Sequence, residues 1–434
     1  MSNDKPQGVY ASYFASIVGE ENAVCLWENI ELGQQKRIQQ AIASGNPPSC
    51  IVYPRSQQQL AAVIATAHSN NWRVLPCGNS SKLNWGGLAK GIDVVVSTER
   101  LNQLIEHAVG DLTITVEAGM KFSNLQALLA KSRQFLALDP TAPELATIGG
   151  IVATGDTGSL RQRYGSVRDQ LLGITFVRAD GQVAKAGGRV VKNVAGYDLM
   201  KLLTGSYGTL GFISQLTFRL YPLAEASGTV VLTGTAEAVS QAADILRGSA
   251  LTPVQADLLS TKLVSSLGLG EGLGLIARFQ SISESVKEQS NRVLEVGQKL
   301  GLDGAIYVDG DEASLWQRLQ ERIHYTATES VISCKIGVLP TAAVEILTQV
   351  ELGLIHIGSG LGLLQLEGKN QVLKVRDRTQ AHRGFLTILE APVAVKEQID
   401  VWGYTGNALP LMRLIKEQFD SKNILSPGRF VGGI

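Results

Sequence analysis

Residues 148–211 read IGGIVATGDTGSLRQRYGSVRDQLLGITFVRADGQVAKAGGRVVKNVAGYDLMKLLTGSYGTLG. Glycine recurs through this stretch between short apolar runs, too often for an ordinary core. Without a Cβ, glycine lets the backbone approach another group closely. Loops of this composition suit a large, flat ligand such as a dinucleotide cofactor. Within the stretch, Gln170–Val177 has the composition of a strand, Ala179-Asp180-Gly181 that of a hairpin turn, and Gln182–Lys185 that of its return. Asp198–Leu203 reads as a short helix closed by Gly205, and Phe212–Leu220 alternates with period two until Pro222.

Upstream, Ile51-Val52-Tyr53 is a strand ended by Pro54. Ser56 caps the following helix, with Gln59 completing a capping box, and Leu60, Val63, Ile64 and Ala67 share its apolar face. Arg73–Pro76 is a second strand, so 51–76 is a strand–helix–strand unit running into Cys77-Gly78-Asn79-Ser80-Ser81-Lys82. Small residues there let consecutive N–H groups converge on an oxyanion, with serine hydroxyls as further donors and Lys82 as a positive charge. A plain solvent turn after the strand is the alternative. Asp93–Ser97 and Thr113–Glu117 are further strands, and a helix capped by Ser123 presents Leu125, Leu128 and Leu129. Asp139–Pro143 is a rigid turn. Residues 1–49 form a leader segment over the first domain, with a helix around Gln35–Ala43 and a break at Gly45, Pro47 and Pro48.

From about residue 225 the glycine loops give way to longer elements. Strands are expected at Val230–Leu232, 273–279, Ile332–Val338 and Gly353–Ile357. One helix turns Val239, Ala242, Ala243 and Leu246 inward, one over 284–300 buries Val286, Val293, Leu294 and Leu300, and another starts at Pro340. This alternation indicates a second α+β domain with helices on one face of a sheet. A C-terminal helix has Pro410 in its first turn and Leu411, Leu414, Ile415 and Phe419 on one face.

The 434 residues are 44% hydrophobic and 18% charged, a balance that builds a substantial core and leaves room for two domains. Lys and Arg number 39 against 39 Asp and Glu, so no basic excess drives binding to a nucleic-acid backbone. Cys25, Cys50, Cys77 and Cys334 form no C-x-x-C pair, which excludes the usual spacing of iron–sulfur and structural zinc ligands. They read as reduced thiols packed as small hydrophobes. With no charged leader before an apolar run and no long uninterrupted apolar segment, the chain reads as cytoplasmic, any membrane contact being peripheral.

G-x-G-x-x-G after a strand, G-x-x-x-x-G-K-[ST] and G-x-S-x-G are all absent, which disfavours Rossmann, P-loop and hydrolase sites. The run Gly268–Gly274 precedes its strand and reads as a flexible loop. His68, His107, His324, His356 and His382 contain no H-E-x-x-H pair, and no metal site is expected. His68 falls near the end of its helix. His356, on a strand entering a glycine turn, either faces a site or is a satisfied structural histidine. Glycine loops without a protein nucleophile or metal point to chemistry carried by a cofactor, with the catalytic residues unassigned.

Three stretches together carry a resemblance. PRSQQQLAAVIATAHSNNWRVLPCGNSSKLNWGG (54–87), DPTAPELATIGGIVATGDTGSLRQRYGSVRDQLLG (139–173) and KNVAGYDLMKLLTGSYGTLGFI (192–213) resemble, in order, the FAD-binding domain of the vanillyl-alcohol oxidase and para-cresol methylhydroxylase superfamily. The closing NILSPGRF (423–430) is similar to that group's ending. Within it, the wording of 192–211 looks most like the E-subunit family of bacterial glycolate oxidases. The resemblance implies an α+β chain: a leader over 1–49, a two-subdomain FAD-binding domain over 50–224, a smaller α+β cap over 225–405, and a helix and tail over 406–434 returning to the FAD domain. It implies that Gly78, Asn79, Ser80, Ser81 and Lys82 hold the pyrophosphate of FAD. Pro140, Thr147, Gly149, Gly150, Thr154 and Gly158 would line the flavin and its ribityl chain, and Gly208 and Ile213 the adenosine end.

Members with covalent flavin carry His or Cys near the positions of Asn79 and Ile148, so the FAD here is expected to be noncovalent. Related catalytic subunits also carry H-x-G-D-G-N-x-H and E-H-G-I-G stretches. The nearest counterpart of the first is His356-Ile357-Gly358-Ser359-Gly360-Leu361, without the acid or second histidine, and the second is absent. The implied role is the FAD-binding subunit of a glycolate-oxidising complex, beside a catalytic flavoprotein and an iron–sulfur subunit. A stand-alone D-lactate-type dehydrogenase and a non-catalytic scaffold subunit are the alternatives.

Overall fold

The computed structural model describes residues 7–19, 22–189, 196–324 and 330–434, so 192–195 at the head of the third stretch lie outside the described residues. The chain divides into two compact units, one of residues 1–156, 166–222 and 393–434, the other of 157–165 and 223–392.

The first unit begins with β1 (Val24–Leu26), β2 (Cys50–Val52), β3 (Val74–Cys77) and β4 (Val94–Ser97), arranged as β1-β2-β4-β3. β2 and β3 both run parallel to β4, which sits between them, so the strand–helix–strand unit spans a gap one strand wide. Its helix, Gln57–Ser69, buries Leu60, Val63, Ile64 and Ala67 completely, as their spacing predicts. Each large aliphatic side chain so buried contributes about 1.5–3 kcal/mol. Ser56 accepts from Gln59 N–H as expected, but the Gln59 amide oxygen accepts from Arg55 N–H, one residue before the cap, so the box is not closed. Residues 1–49 are not a separate leader: β1 pairs antiparallel with β2, and the helix Gln7–Val18 belongs to the same unit. The expected helix around 35–43 spans Leu32–Gln39 instead.

A second sheet in this unit is formed by β5 (Leu104–Ala108), β6 (Thr113–Glu117), β8 (Leu171–Val177), β9 (Val183–Gly187) and β10 (Phe212–Arg219), in the order β5-β6-β10-β8-β9. The short strands β7 (Gln134–Phe135) and β11 (Tyr221–Pro222) pair with each other. The second sheet packs on the helices Phe122–Ala130, Ile148–Thr154 and Leu199–Leu203 through Ile114, Val116, Leu125, Leu129, Ile151, Val152, Leu203 and Leu216. The first of these helices is capped at Lys121, not Ser123, because Phe122 already has helical backbone and is itself buried. The C-terminal helix, Leu409–Phe419, buries Lys416 and partly packs Ile415 and Phe419, leaving Leu411 and Leu414 59% and 63% exposed. The expected apolar face is therefore split between core and surface.

The second unit holds β12 (Ala226–Gly234), β13 (Gln255–Leu259), β14 (Leu273–Ser281), β15 (Asp303–Val308), β16 (Val331–Gly337), β17 (Leu352–His356), β18 (Leu361–Glu367) and β19 (Phe385–Glu390). They form one antiparallel sheet ordered β15-β12-β14-β13-β17-β18-β16-β19. Helices cover both faces, not one. Along β12, a Cβ at Gly228 would meet Val286, and Leu232 lies against Gly297, both on the helix Ser283–Lys299. The alternate residues turn the other way, Thr229 accepting from Trp316 Nε1 at 2.9 Å and Val231 packing with Leu315 and Leu319 of the helix Asp309–Ile323. The sequence hides this because Ser227, Thr229 and Thr233 all fall on that second face of β12 and read as a solvent face, although Thr229 and Thr233 are buried. The unit boundaries at 222/223 and 392/393 place 393–405 with the first unit, where a cap reaching 405 was expected.

Candidate functional site

Within the first unit an open cleft lies where strands of both sheets end. It is lined by the loop after β3, by Thr98 after β4, by Ala118 after β6, by one side of the helix Ile148–Thr154, and by Tyr207, Gly208 and Gly211–Ile213. Of the residues expected to bind the cofactor, Gly78, Asn79, Ser80, Ser81, Lys82, Thr147, Gly149, Gly150, Thr154, Gly208 and Ile213 line this one cleft. Pro140 is buried and does not line the cleft, and Gly158 belongs to the second unit.

The loop 78–82 is built from inside. A Cβ on Gly78 would sit 2.1 Å from Thr147 Oγ1, so only glycine allows the loop to lie against the start of the helix Ile148–Thr154. Thr147 caps that helix by accepting from Gly150 N–H at 3.2 Å. Ser80 adopts a left-handed backbone (φ 59°), which turns the loop back on itself. Asn79 Nδ2 donates to Leu145 O, fixing the loop from outside. The N–H groups of Asn79, Ser80, Ser81 and Lys82 make no hydrogen bond among the described residues. Consecutive backbone donors left unsatisfied at a concave surface form an anion cradle.

The glycines at 149 and 150 serve differently. Gly149 N–H donates to Ala118 O at 2.8 Å, and a Cβ there would strike Ala118 at 2.8 Å. Gly150 N–H is taken by Thr147. Both thus offer the cleft a bare backbone surface suited to a flat ring, while the Gly149 amide ties the helix to the segment after β6 and the Gly150 amide closes the helix cap. Gly208 needs its positive φ of 73° to pass Pro76.

Lys82 does not point a free charge into the cradle. Its Nζ lies 3.2 Å from Asp156 Oδ2 and donates to Thr141 O at 3.0 Å, with both side chains of the ion pair almost wholly buried. Asp156 also accepts from Thr141 N–H at 2.8 Å. This clasp ties the loop to the turn after Pro140, which is the role of that rigid turn. The unpaired cation in the cleft is Arg429, 3% exposed, whose Nη2 donates to Leu83 O and Trp85 O while Nη1 has no hydrogen-bond partner. Burial lowers its pKa to about 10, so it stays protonated at neutral pH. The sequence signal for Arg429 was the closing NILSPGRF stretch, which marks the position without assigning its role. Burial also pushes the Cys77 thiol up to about 11, against the opposing hydroxyls of Ser97 and Ser80, and raises the Tyr207 phenol.

His356 ends β17 in the second unit. Its Nδ1 lies 2.6 Å from Asp257 Oδ1, which also accepts from Ser159 Oγ at 2.6 Å, and all three residues are buried. His68 sits half-buried in the last turn of its helix. No helix among the described residues is long and apolar enough to cross a membrane.

Loop amides, ring-sized glycine walls and a buried guanidinium fit a flavin with a phosphate-bearing tail, and the comparisons agree. Residues 48–187 match the family model described as FAD binding domain, so the chain carries that domain and its cofactor is FAD. The protein is an FAD-dependent oxidoreductase. It is similar to the D-lactate dehydrogenase [cytochrome], mitochondrial, of Arabidopsis thaliana, 28% identical over 64% of this chain and 50% of that protein. It is also similar to glycolate oxidase subunit GlcD of Bacillus subtilis (strain 168), 22% identical over 88% of each chain. Among solved structures, p-cresol methylhydroxylase with substrate bound superposes with a TM-score of 0.72 at 16% identity, over 97% of this chain and 96% of that one. The expected para-cresol methylhydroxylase-type fold is the fold found.

Proposed function

We propose that this protein takes part in the FAD-dependent oxidation of a small 2-hydroxy acid to the 2-oxo acid, a loss of two electrons and two protons, with glycolate as the substrate. The observation that carries this reading is the single cleft in which the loop 78–82 and the glycine walls at 149–150 and 208 come together. It is supported by the likeness to proteins named for lactate and glycolate oxidation. FAD, when bound, supplies the electron-accepting ring. The chain's own residues have three tasks. The four free amides of 79–82 hold an anion, the bare backbone at Gly149 and Gly150 admits a ring plane, and the Lys82–Asp156 clasp keeps the cradle from opening.

The finer reading is a cytoplasmic subunit that works beside a second, catalytic flavoprotein and an iron–sulfur electron acceptor. Two observations favour it over a stand-alone dehydrogenase. The stretch around His356 has lost the acid and the second histidine of the related catalytic subunits, and His356 itself is tied to Asp257. Exposed Leu411 and Leu414 provide an apolar face on the C-terminal helix for a partner subunit. Anaerobic mixing of the purified, flavin-loaded chain with glycolate and with D-lactate tests the reading. Slow or absent bleaching alone, with rapid bleaching on glycolate once co-expressed partner subunits are present, is the expected result. Rapid bleaching by the chain alone overturns the complex, and no bleaching with partners overturns glycolate oxidation.

A further inference from the structure

Three features outside the expected site offered a role: the Ser159–Asp257–His356 cluster, the polar hollow around Arg100 and Tyr53, and Arg429. The first is already bonded internally, and the second holds its arginine to Asn22 O and over the Tyr53 ring. Arg429 is different in kind.

Among the described residues Arg429 is a buried guanidinium with no carboxylate partner. Other deeply buried cations in the first unit pair with a carboxylate, Lys82 with Asp156 and Lys416 with Asp420 at 2.6 Å, or, like Lys396, turn their ammonium to the carbonyls of Asn84 and Gly86, whereas Arg429 keeps a whole buried Nη1 without a hydrogen-bond partner. An uncompensated buried charge is costly, and a protein keeps one where a ligand brings the opposite charge. Arg429 reaches the cleft beneath the same loop whose amides at 79–82 lack partners, since it is bonded to Leu83 O and Trp85 O at that loop's continuation. Its delivery is itself engineered by the tail. Asp420 accepts from Ile424 and Leu425 N–H, Lys416 donates to Leu425 O and to Thr209 O, and Asn423 and Ser426 turn the chain through positive φ.

We propose that Arg429 is the counter-charge for the cofactor's phosphate groups, so that the C-terminal tail, and not Lys82, makes the cleft selective for a phosphate-bearing flavin. The inference rests on the cleft binding FAD and is independent of which hydroxy acid is oxidised. Guanidinium–phosphate hydrogen bonds are charge-assisted and among the strongest a protein makes.

The test uses the full-length chain freed of flavin, titrated with FAD and, in parallel, with riboflavin, which lacks phosphate. Arg429→Met is expected to weaken FAD by about 10- to 100-fold while changing riboflavin affinity less than about threefold, and Arg429→Lys is expected to restore part of the loss. Equal losses for FAD and riboflavin overturn the proposal, because they mark Arg429 as a support for the Leu83 and Trp85 carbonyls alone. Unchanged FAD affinity overturns it as well. Should the variants not fold, wild-type protein decides. Inorganic pyrophosphate is expected to compete with FAD and raise the melting temperature of the flavin-free chain, and no effect of either kind refutes the assignment. Failure here leaves the substrate reading standing, because bleaching by glycolate is read on the loaded wild-type protein.

Discussion

Replacing Gly78 by alanine is the sharpest perturbation of the cleft. The added Cβ lands 2.1 Å from Thr147 Oγ1, 3.0 Å from its Cγ2 and 3.1 Å from its Cβ, so Thr147 must leave its rotamer or the loop must lift. Moving Thr147 breaks its bond to Gly150 N–H, the cap of the helix Ile148–Thr154. Overpacking costs about 1–3 kcal/mol and loss of the cap about 1 kcal/mol, so Gly78→Ala is expected to destabilise the first unit by about 2–4 kcal/mol. That corresponds to a fall in melting temperature of roughly 5–10 °C. Flavin content should drop with it, since the cradle and the ring wall meet at this contact. The assay is thermal melting followed by circular dichroism, with the ratio of visible to ultraviolet absorbance as the measure of bound FAD. A second substitution separates mechanism from generic damage. Thr147→Ala removes the colliding Oγ1 and Cγ2, so Gly78→Ala should cost at least 1 kcal/mol less in that background than in wild type, by ordinary double-mutant coupling of contacting residues. Equal cost in both backgrounds refutes the contact as the cause, and full flavin with unchanged melting refutes the cradle.

Other consequences follow from the same geometry. Lys82→Met leaves Asp156 buried beside only the Thr141 donors and is expected to lower stability by about 3–5 kcal/mol, with Lys82→Met/Asp156→Asn recovering part of it in urea unfolding. Burial raises the thiols of Cys77 to about 11 and of Cys50 and Cys334 to about 12. In the folded chain they therefore stay protonated after an unfolded thiol has ionised, so this contribution to stability is present below the unfolded value near 9 and is lost as pH rises from there toward 11–12. Mass-spectrometric alkylation at pH 8 should modify half-buried Cys25 first, and rapid labelling of Cys77 in the folded protein contradicts its burial. Leu411→Asp/Leu414→Asp should leave melting and flavin content unchanged, because both side chains are exposed, while reducing co-purification of partner subunits.

Local patterning was a reliable guide wherever one residue type had one physical meaning. The helix face Leu60, Val63, Ile64 and Ala67 and the strand Phe212–Arg219 stood out because their apolar period has a single explanation. The Gly78–Lys82 loop was legible for the same reason: glycine and serine after a strand leave backbone donors open. Lys82 misled because a lysine beside a cradle reads as a ligand for the anion, and only the fold brings Asp156 to it across 74 positions of chain. Arg429 was hidden for the complementary reason, its distance of 346 positions from the Leu83 carbonyl that holds it. The second covered face of the second unit's sheet is masked in the sequence because β12 presents Ser227, Thr229 and Thr233 there, hydroxyl side chains that read as a solvent face. Spacing puts Leu411 and Leu414 on one face with Ile415 and Phe419, but the helix is anchored through buried Lys416, which leaves the two leucines exposed.

Noncovalent FAD in the cleft of the first unit is the claim on which the rest depends, and one measurement addresses it directly. The visible spectrum of the purified chain is recorded, the protein is precipitated with acid, and the supernatant is separated by chromatography. Flavin bands in the native spectrum, with all of the flavin recovered in the supernatant as FAD, are the expected result. A colourless chain that FAD cannot reconstitute, or a flavin that stays with the precipitated protein, contradicts it.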